Sequence, residues 1–240
     1  MKRFFSSDVL IALGILAVLT VMFRVTELDL TLQHLFFVEG HGWVYKDLSV
    51  CRAIYTYGPL PAILLAVGAL LGLVGSWRIR RFVPYRKAFI FVILLMLLGP
   101  GLVVNAVFKQ QWGRPRPRTV DEFGGPQPFL YVWQKGEAGA GHSFASGHAS
   151  MGFFLVAPYF LLRRRSRRWA LTFLATGIGA GVLIGVTRMV QGGHFASDVI
   201  WAGGFVYLVG AGLASLLRLD GDVIPTPALA SSTPQASEDV

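Results

Sequence analysis

The sequence predicts an all-α integral membrane protein: a bundle of six transmembrane helices carrying its functional residues at the outer ends of helices three to six. Three observations predict this. The 240-residue chain is 54% hydrophobic and only 15% charged, with a mean hydropathy of +0.57, a composition foreign to ordinary soluble domains. Its apolar residues gather into six long runs, most of them near the roughly 20 residues that a helix needs to cross the hydrocarbon. Its basic residues collect in alternate connections between those runs, the pattern that sets orientation.

The runs are 4–23, 54–76, 88–108, 148–162, 169–186 and 199–217. Lys2 and Arg3 precede the first, which resembles a signal peptide in outline. It is expected to be retained, because Phe23-Arg24-Val25 follows with no small-residue cleavage site before a polar start. The fourth run is short and is expected to extend into its flanks. Glycine and proline recur inside the runs, as at Gly99-Pro100-Gly101 and Gly177-Ile-Gly179-Ala-Gly181; membrane helices tolerate both, and small residues let neighbours pack closely.

Arg78, Arg80, Arg81, Arg86 and Lys87 follow run two, and Arg163, Arg164, Arg165, Arg167 and Arg168 follow run four. Segments with more acid alternate with them: Glu27, Asp29, Glu39 and Asp47, then Asp121, Glu122 and Glu137. Both termini are therefore expected in the cytoplasm. Residues 1–218 form one membrane domain, and 219–240, rich in Pro, Ser, Thr and Ala, read as a disordered cytoplasmic tail. The stretch from Glu27 to Tyr45 mixes leucines and aromatics with acids and is expected to lie along the outer membrane surface.

A net charge of +9 raises the question of nucleic acid. Ten of the 22 basic residues sit in the two loops just named, so topology explains the charge and no nucleic-acid partner is expected. The single cysteine, Cys51, excludes an internal disulfide and a cysteine metal site; it reads as a small apolar filler.

The topology sends four helix ends to one side. Run three ends at Lys109, with Arg114 and Arg116 beyond it. Run four begins at Ser146-Gly147-His148. Run five ends at Arg188, and run six begins through His194 and Asp198. On a helix, His194 and Asp198 would stand one turn apart on one face, letting the carboxylate take one imidazole proton and free the other nitrogen to attack phosphorus. His148 suits a general acid for the leaving alcohol and later a base for water. Lys109, Arg116 and Arg188 can stabilise phosphoryl oxygens, and Ser146 with the Gly147 amide adds donors near a helix start. No acidic cluster with metal spacing accompanies them, so neither metal nor cofactor is expected.

Other polar residues have blander readings. His34, His41 and His142 read as interfacial residues, Trp112 and Trp133 as interfacial anchors, and Asp121 and Glu122 as a solvated loop. Arg114 is a possible headgroup-binding residue, and Arg118 a weaker one.

With those residues in place, the pattern resembles the type 2 phosphatidic acid phosphatase superfamily, which includes vanadium haloperoxidases and bacterial acid phosphatases. Its signature runs Lys-x6-Arg-Pro, Pro-Ser-Gly-His, then Ser-Arg-x5-His-x3-Asp. Lys109 and Arg116-Pro117 match the first element. Ala145-Ser146-Gly147-His148 matches the second with alanine for proline, and Thr187-Arg188, His194 and Asp198 match the third with threonine for serine. The resemblance covers about 109–198, inside a core of about 88–217. It implies His194 as nucleophile through a phosphohistidine, Asp198 as its orienting partner and His148 as the acid-base group. Lys109, Arg116, Ser146, Gly147 and Arg188 would hold phosphate. It further implies a phospholipid or glycolipid substrate at the periplasmic face of a bacterial inner membrane.

Within the family, Trp112-Gly-Arg-Pro-Arg-Pro-Arg118, Glu122-Phe-Gly-Gly125 and Gln191-Gly-Gly-His-Phe195 look similar to bacterial lipid A phosphatases. The expected activity is removal of the 1- or 4'-phosphate of lipid A. The alternatives are phosphatidylglycerophosphate or undecaprenyl diphosphate hydrolysis, phosphate transfer to another lipid, or an inactive lipid-binding scaffold. The sequence leaves the oligomeric state open.

Overall fold

A computed structural model describes residues 7–219. Lys2, Arg3 and 220–240, with most of the expected tail, lie outside the described residues. Leu219, placed in that tail by the sequence reading, is buried and donates its amide to the Ala214 carbonyl.

The described chain is mostly helical. Helix α1 (Ser7–Thr26) leads into a short α2 (Leu28–His34) and a two-stranded antiparallel hairpin, β1 (Phe37–Val38) with β2 (Gly42–Trp43). Helices α3 (Ser49–Tyr57) and α4 (Leu60–Gly75) follow, parted at Gly58-Pro59. After a 3-10 turn, α5 (Arg86–Met96) continues as a π-helical stretch, Leu97–Phe108, into α6 (Lys109–Gln111). Then come α7 (Gly147–Phe154), α8 (Ala157–Leu162), α9 (Arg167–Val190) and α10 (Ala196–Leu216). The hairpin and an isolated bridge between Val120 and Gln127 are modest departures from an all-α chain.

Five helical stretches are long and apolar enough to cross a membrane: Ser7–Thr26, Ser49–Gly75, Arg80–Gln111, Arg167–Val190 and Ala196–Leu216. Gly147–Leu162 is apolar but shorter. It does not extend into its flanks as the sequence reading expects. Pro158 sits in the first turn of α8; a proline there lacks the amide that a continuous helix would donate back to Phe154, so α7 stops and α8 restarts. Pro100 does the equivalent in run three, where the ladder widens to π spacing and the Asn105 side chain donates to the Pro100 carbonyl at 2.7 Å.

Small residues bring the central helices together. A Cβ on Gly152 would lie 2.6–2.7 Å from the backbone of Ala180 and Gly181, so α7 and α9 touch main chain to main chain. The largest core cluster joins α5, α7, α8 and α10 around Phe91, Leu95, Phe154, Phe160 and Val206, all of them fully buried. A second cluster caps the opposite end of α10. There Phe37, Trp43, Phe123, Phe129 and Phe195 pack edge to face, beneath the loops that follow α6.

Candidate active site

Lys109, Ser146, Arg188 and His194 come from four different helix ends, and the structure brings them together. The Ser146 amide donates to the Asp198 carbonyl at 3.2 Å, tying the start of α7 to the start of α10. The Ser143 hydroxyl donates to Asp198 Oδ2 at 2.5 Å. Gly192, at φ +61°, lets the 191–195 turn pass against the Trp43 ring, where a Cβ would have no room.

His194 lies in that turn and not on α10, which begins at Ala196. The expected one-turn helical pairing with Asp198 is therefore replaced by a different arrangement. His194 Nδ1 is 2.6 Å from the Ser143 carbonyl and 3.8 Å from Asp198 Oδ2. A carbonyl only accepts, so Nδ1 carries the proton and Nε2 keeps its lone pair. Burial holds the imidazole below its ordinary pKa; Asp198 works against that lowering, and Arg188 and Lys109 add to it. The ring is thus neutral near pH 7, as a nucleophile must be.

Asp198 is buried and fully engaged. Oδ2 takes the Ser143 hydroxyl and the Phe195 amide at 2.8 Å, and Oδ1 takes Arg114 Nη1 at 2.5 Å. Arg114, a possible headgroup-binding residue by sequence, has no exposed surface. Its guanidinium reaches Asp198, Asp29 Oδ2 at 2.8 Å, the Ser197 hydroxyl at 2.8 Å and the Leu130 carbonyl at 2.8 Å. The two carboxylates keep its pKa raised although burial alone would lower it.

Asp29 and Gln33 were missed in the sequence. They belong to the segment expected to lie along the membrane surface, yet both are buried. Asp29 accepts from the Ser197 amide and hydroxyl, and Gln33 Nε2 donates to the His194 carbonyl at 2.6 Å. The signal was present: polar residues inside Leu28-Asp-Leu-Thr-Leu-Gln33 occupy a helix whose inner face needs partners.

Lys109, Arg116, Arg188 and the two histidines are close enough for their charges to interact. Burial holds Arg116 below its ordinary pKa, with neighbouring Arg118 adding to the effect. The Ser146 hydroxyl and Arg188 Nε are buried with no hydrogen-bond partner among the described residues. Such orphans are costly unless a ligand completes them. Ser146 precedes α7, whose first amides point the same way, and Gly147 is needed because Asn105 leaves no space for a Cβ. Asn105 also accepts from Lys109 Nζ at 3.4 Å. His148, half-buried, stacks on Tyr55 with ring centroids 4.4 Å apart, and the Arg188 guanidinium lies 4.8 Å over the same Tyr55 ring. Sequence reasoning gave Tyr55 no part.

Trp112 is half-buried, donates to the Val132 carbonyl and packs on Phe108 and Phe144, so it braces the loop instead of standing free at the interface. Elsewhere, an apolar groove of about 510 Å³ runs between α1, α9 and α10, lined by Leu16, Ile178 and Gly204 among others. It holds none of the polar residues above. Among the described residues, no group of three or more His, Cys, Asp or Glu side chains is placed to hold a metal ion.

The PAP2 superfamily profile matches residues 88–219. The chain belongs to the PAP2 superfamily. Among individual PAP2 relatives, it is 44% identical over 151 residues to the lipid A 4'-phosphatase of Francisella tularensis subsp. novicida, covering 61% of this chain and 66% of that protein. It is 36% identical over 106 residues to the lipid A 4'-phosphatase of Rhizobium leguminosarum, 44% of each chain. It is 32% identical over 127 residues to phosphatidylglycerophosphatase B of Bacillus subtilis, covering 50% of this chain and 54% of that protein. The chain thus spans from under half to about two thirds of these relatives' lengths. No solved structure matches the chain significantly.

Proposed function

We propose that the protein is a lipid phosphate phosphatase that works through a phosphohistidine on His194. One observation carries this reading: the Ser143 carbonyl holds the Nδ1 proton, which leaves Nε2 with its lone pair on a ring close enough to Arg188 and Lys109 for their charges to act on it. The phosphate would sit among Lys109, Arg116, Ser146, the Gly147 amide and Arg188, which take its oxygens by charge-assisted bonds. Nε2 attacks phosphorus, and the ester P–O bond breaks with its electron pair leaving on the lipid oxygen. His148, which takes up a proton once the anionic phosphate offsets the cations around it, gives that oxygen its proton. The neutral His148 then takes a proton from water, the resulting hydroxide attacks phosphorus, the N–P bond breaks, and inorganic phosphate leaves.

Lipid A is the favoured substrate, because two of the relatives named above are lipid A 4'-phosphatases and the 44%-identical one is the more similar. Phosphatidylglycerophosphate is the second reading, supported by the Bacillus relative. The membrane layout we propose has six spans, with Gly147–Leu162 as the short fourth, both termini cytoplasmic and the site periplasmic. The Asp8–Arg163 pair at 3.1 Å joins the start of α1 to the end of α8, which supports putting the N-terminus on the same side as the basic loop after run four, the side that the positive-inside rule assigns to the cytoplasm.

Purified protein in detergent, given lipid A, phosphatidylglycerophosphate and undecaprenyl diphosphate with EDTA present, is expected to release inorganic phosphate fastest from lipid A. Release only from another substrate would reassign specificity, and no release from any would sink the phosphatase reading.

A further inference from the structure

Asp29 lies on α2, outside the family-matched residues 88–219, yet it is buried and joined through Arg114 to Asp198, the partner of the proposed nucleophile. Every group touching it donates: Arg114 Nη2 at 2.8 Å, the Ser197 amide at 2.9 Å and the Ser197 hydroxyl at 2.5 Å. That is the environment of an ionised carboxylate, which accepts and cannot donate. Arg114 bridges it to Asp198, so the buried assembly contains two carboxylates and one guanidinium. Its net charge is −1. With Asp29 removed, Arg114 would cancel Asp198 and the assembly would be neutral.

The charge matters because of what happens to the ring. Attack by Nε2 forms the N–P bond while Nδ1 keeps its proton against the Ser143 carbonyl, so the imidazole becomes cationic. The charged or titratable groups near it, among the described residues, are Lys109, Arg188 and His148, and Asp198 with Arg114 and Asp29 joined to it. Lys109 and Arg188 oppose a positive ring. Only the surplus negative charge favours it, and in a buried site that charge is poorly screened. Arg114 is needed to hold Asp198 in place, but alone it would erase the carboxylate's charge.

We propose that Asp29 is a positioning residue for the phosphoryl-transfer step: through Arg114 it fixes the Asp198 carboxylate, and it supplies the excess negative charge that stabilises His194 as the ring turns cationic. This rests on His194 being the nucleophile. The N-terminal segment would then be part of the catalytic apparatus and not only an anchor.

The test is a charge-rescue series. Asp29→Asn is nearly isosteric and makes the assembly neutral. It is expected to lower kcat about 10- to 100-fold with KM within about twofold, because the loss falls on a charge formed during reaction. The acid limb of kcat/KM should move to lower pH by about half a unit or more, since losing a negative neighbour disfavours the protonated imidazole. Adding Arg114→Gln leaves Asp198 alone and restores −1; the limb should return towards its original position, although kcat stays low because Asp198 has lost the group that holds it. A purely structural Asp29 predicts an unmoved limb in the single and the double variant, and that outcome would overturn the proposal. If Asp29→Asn does not accumulate folded, Asp29→Glu decides: it keeps the charge, so a shifted limb would contradict us. The parent protein is assayed alongside for a labelled phosphohistidine at His194. Its absence would defeat the nucleophile reading, whereas its presence with an unmoved limb would defeat the Asp29 proposal alone.

Discussion

Two influences set the state of the His194 ring, and they do different things. The Ser143 carbonyl selects the tautomer, and burial keeps the ring neutral. The sign of the pH dependence follows. A lowered imidazole pKa keeps the attacking form populated down through pH 6.5, the ordinary histidine value. The acid limb of kcat/KM is expected to fall below pH 6.5, and a limb centred at 7 or above would contradict the assignment. His194→Ala and His148→Ala should each reduce turnover at least about a thousandfold while the protein still inserts, because each removes a chemical step. Near-normal turnover in either would refute its role. Arg116→Lys should cost about tenfold or more in kcat/KM, since an ammonium cannot grip phosphate in a fork; unchanged kinetics would exclude a two-bond contact. Lys109, Arg116, Ser146, His148, Arg188 and His194 were legible in the sequence because each sits beside a turn or an apolar run that marks its place. Asp29 and Arg114 were not. They are 85 residues apart, and no local pattern distinguishes an arginine aimed at a lipid from one aimed at a buried carboxylate.

Among the elements, α2 differs most from expectation. As a surface-lying segment it would be tolerant of change, but it supplies Asp29 and Gln33 to the floor of the site. Arg114→Leu would leave two uncompensated buried carboxylates, and breaking such a pair costs about 3–5 kcal/mol. Thermal unfolding in detergent is expected to show a marked loss, and an unchanged Tm would mean the cluster is not ionised as described. The contact of α7 with α9 is equally specific. Gly152→Val would force apart backbones that now touch, at a cost of about 1–3 kcal/mol, and full activity with unchanged Tm would show that α7 can shift freely. The six apolar runs all became helices. Their bounds moved where proline intervened, at Pro100 and Pro158, because periodicity records burial while a missing amide resets the hydrogen-bond ladder.

For the whole molecule, the convergence of four helix ends was readable from the alternation of basic loops before any contact was known, since hydrocarbon thickness fixes where each run must turn. The depth of the fourth helix was not readable; it is shorter than a full crossing and meets the others through glycine contacts that composition cannot foretell. In a Cys51→Ser background, single cysteines at Glu137 and at Arg165 are expected to label from opposite faces of the membrane, and labelling from one face would overturn the proposed topology.

The whole account turns on a phosphoryl group passing through one imidazole. Incubation with ³²P-labelled lipid A, an alkaline quench that preserves phosphoramidates, and peptide mass spectrometry would reveal where it rests. The account predicts label on the peptide containing His194, and none there in His194→Ala. Label on another residue, or turnover without any labelled peptide, would contradict it.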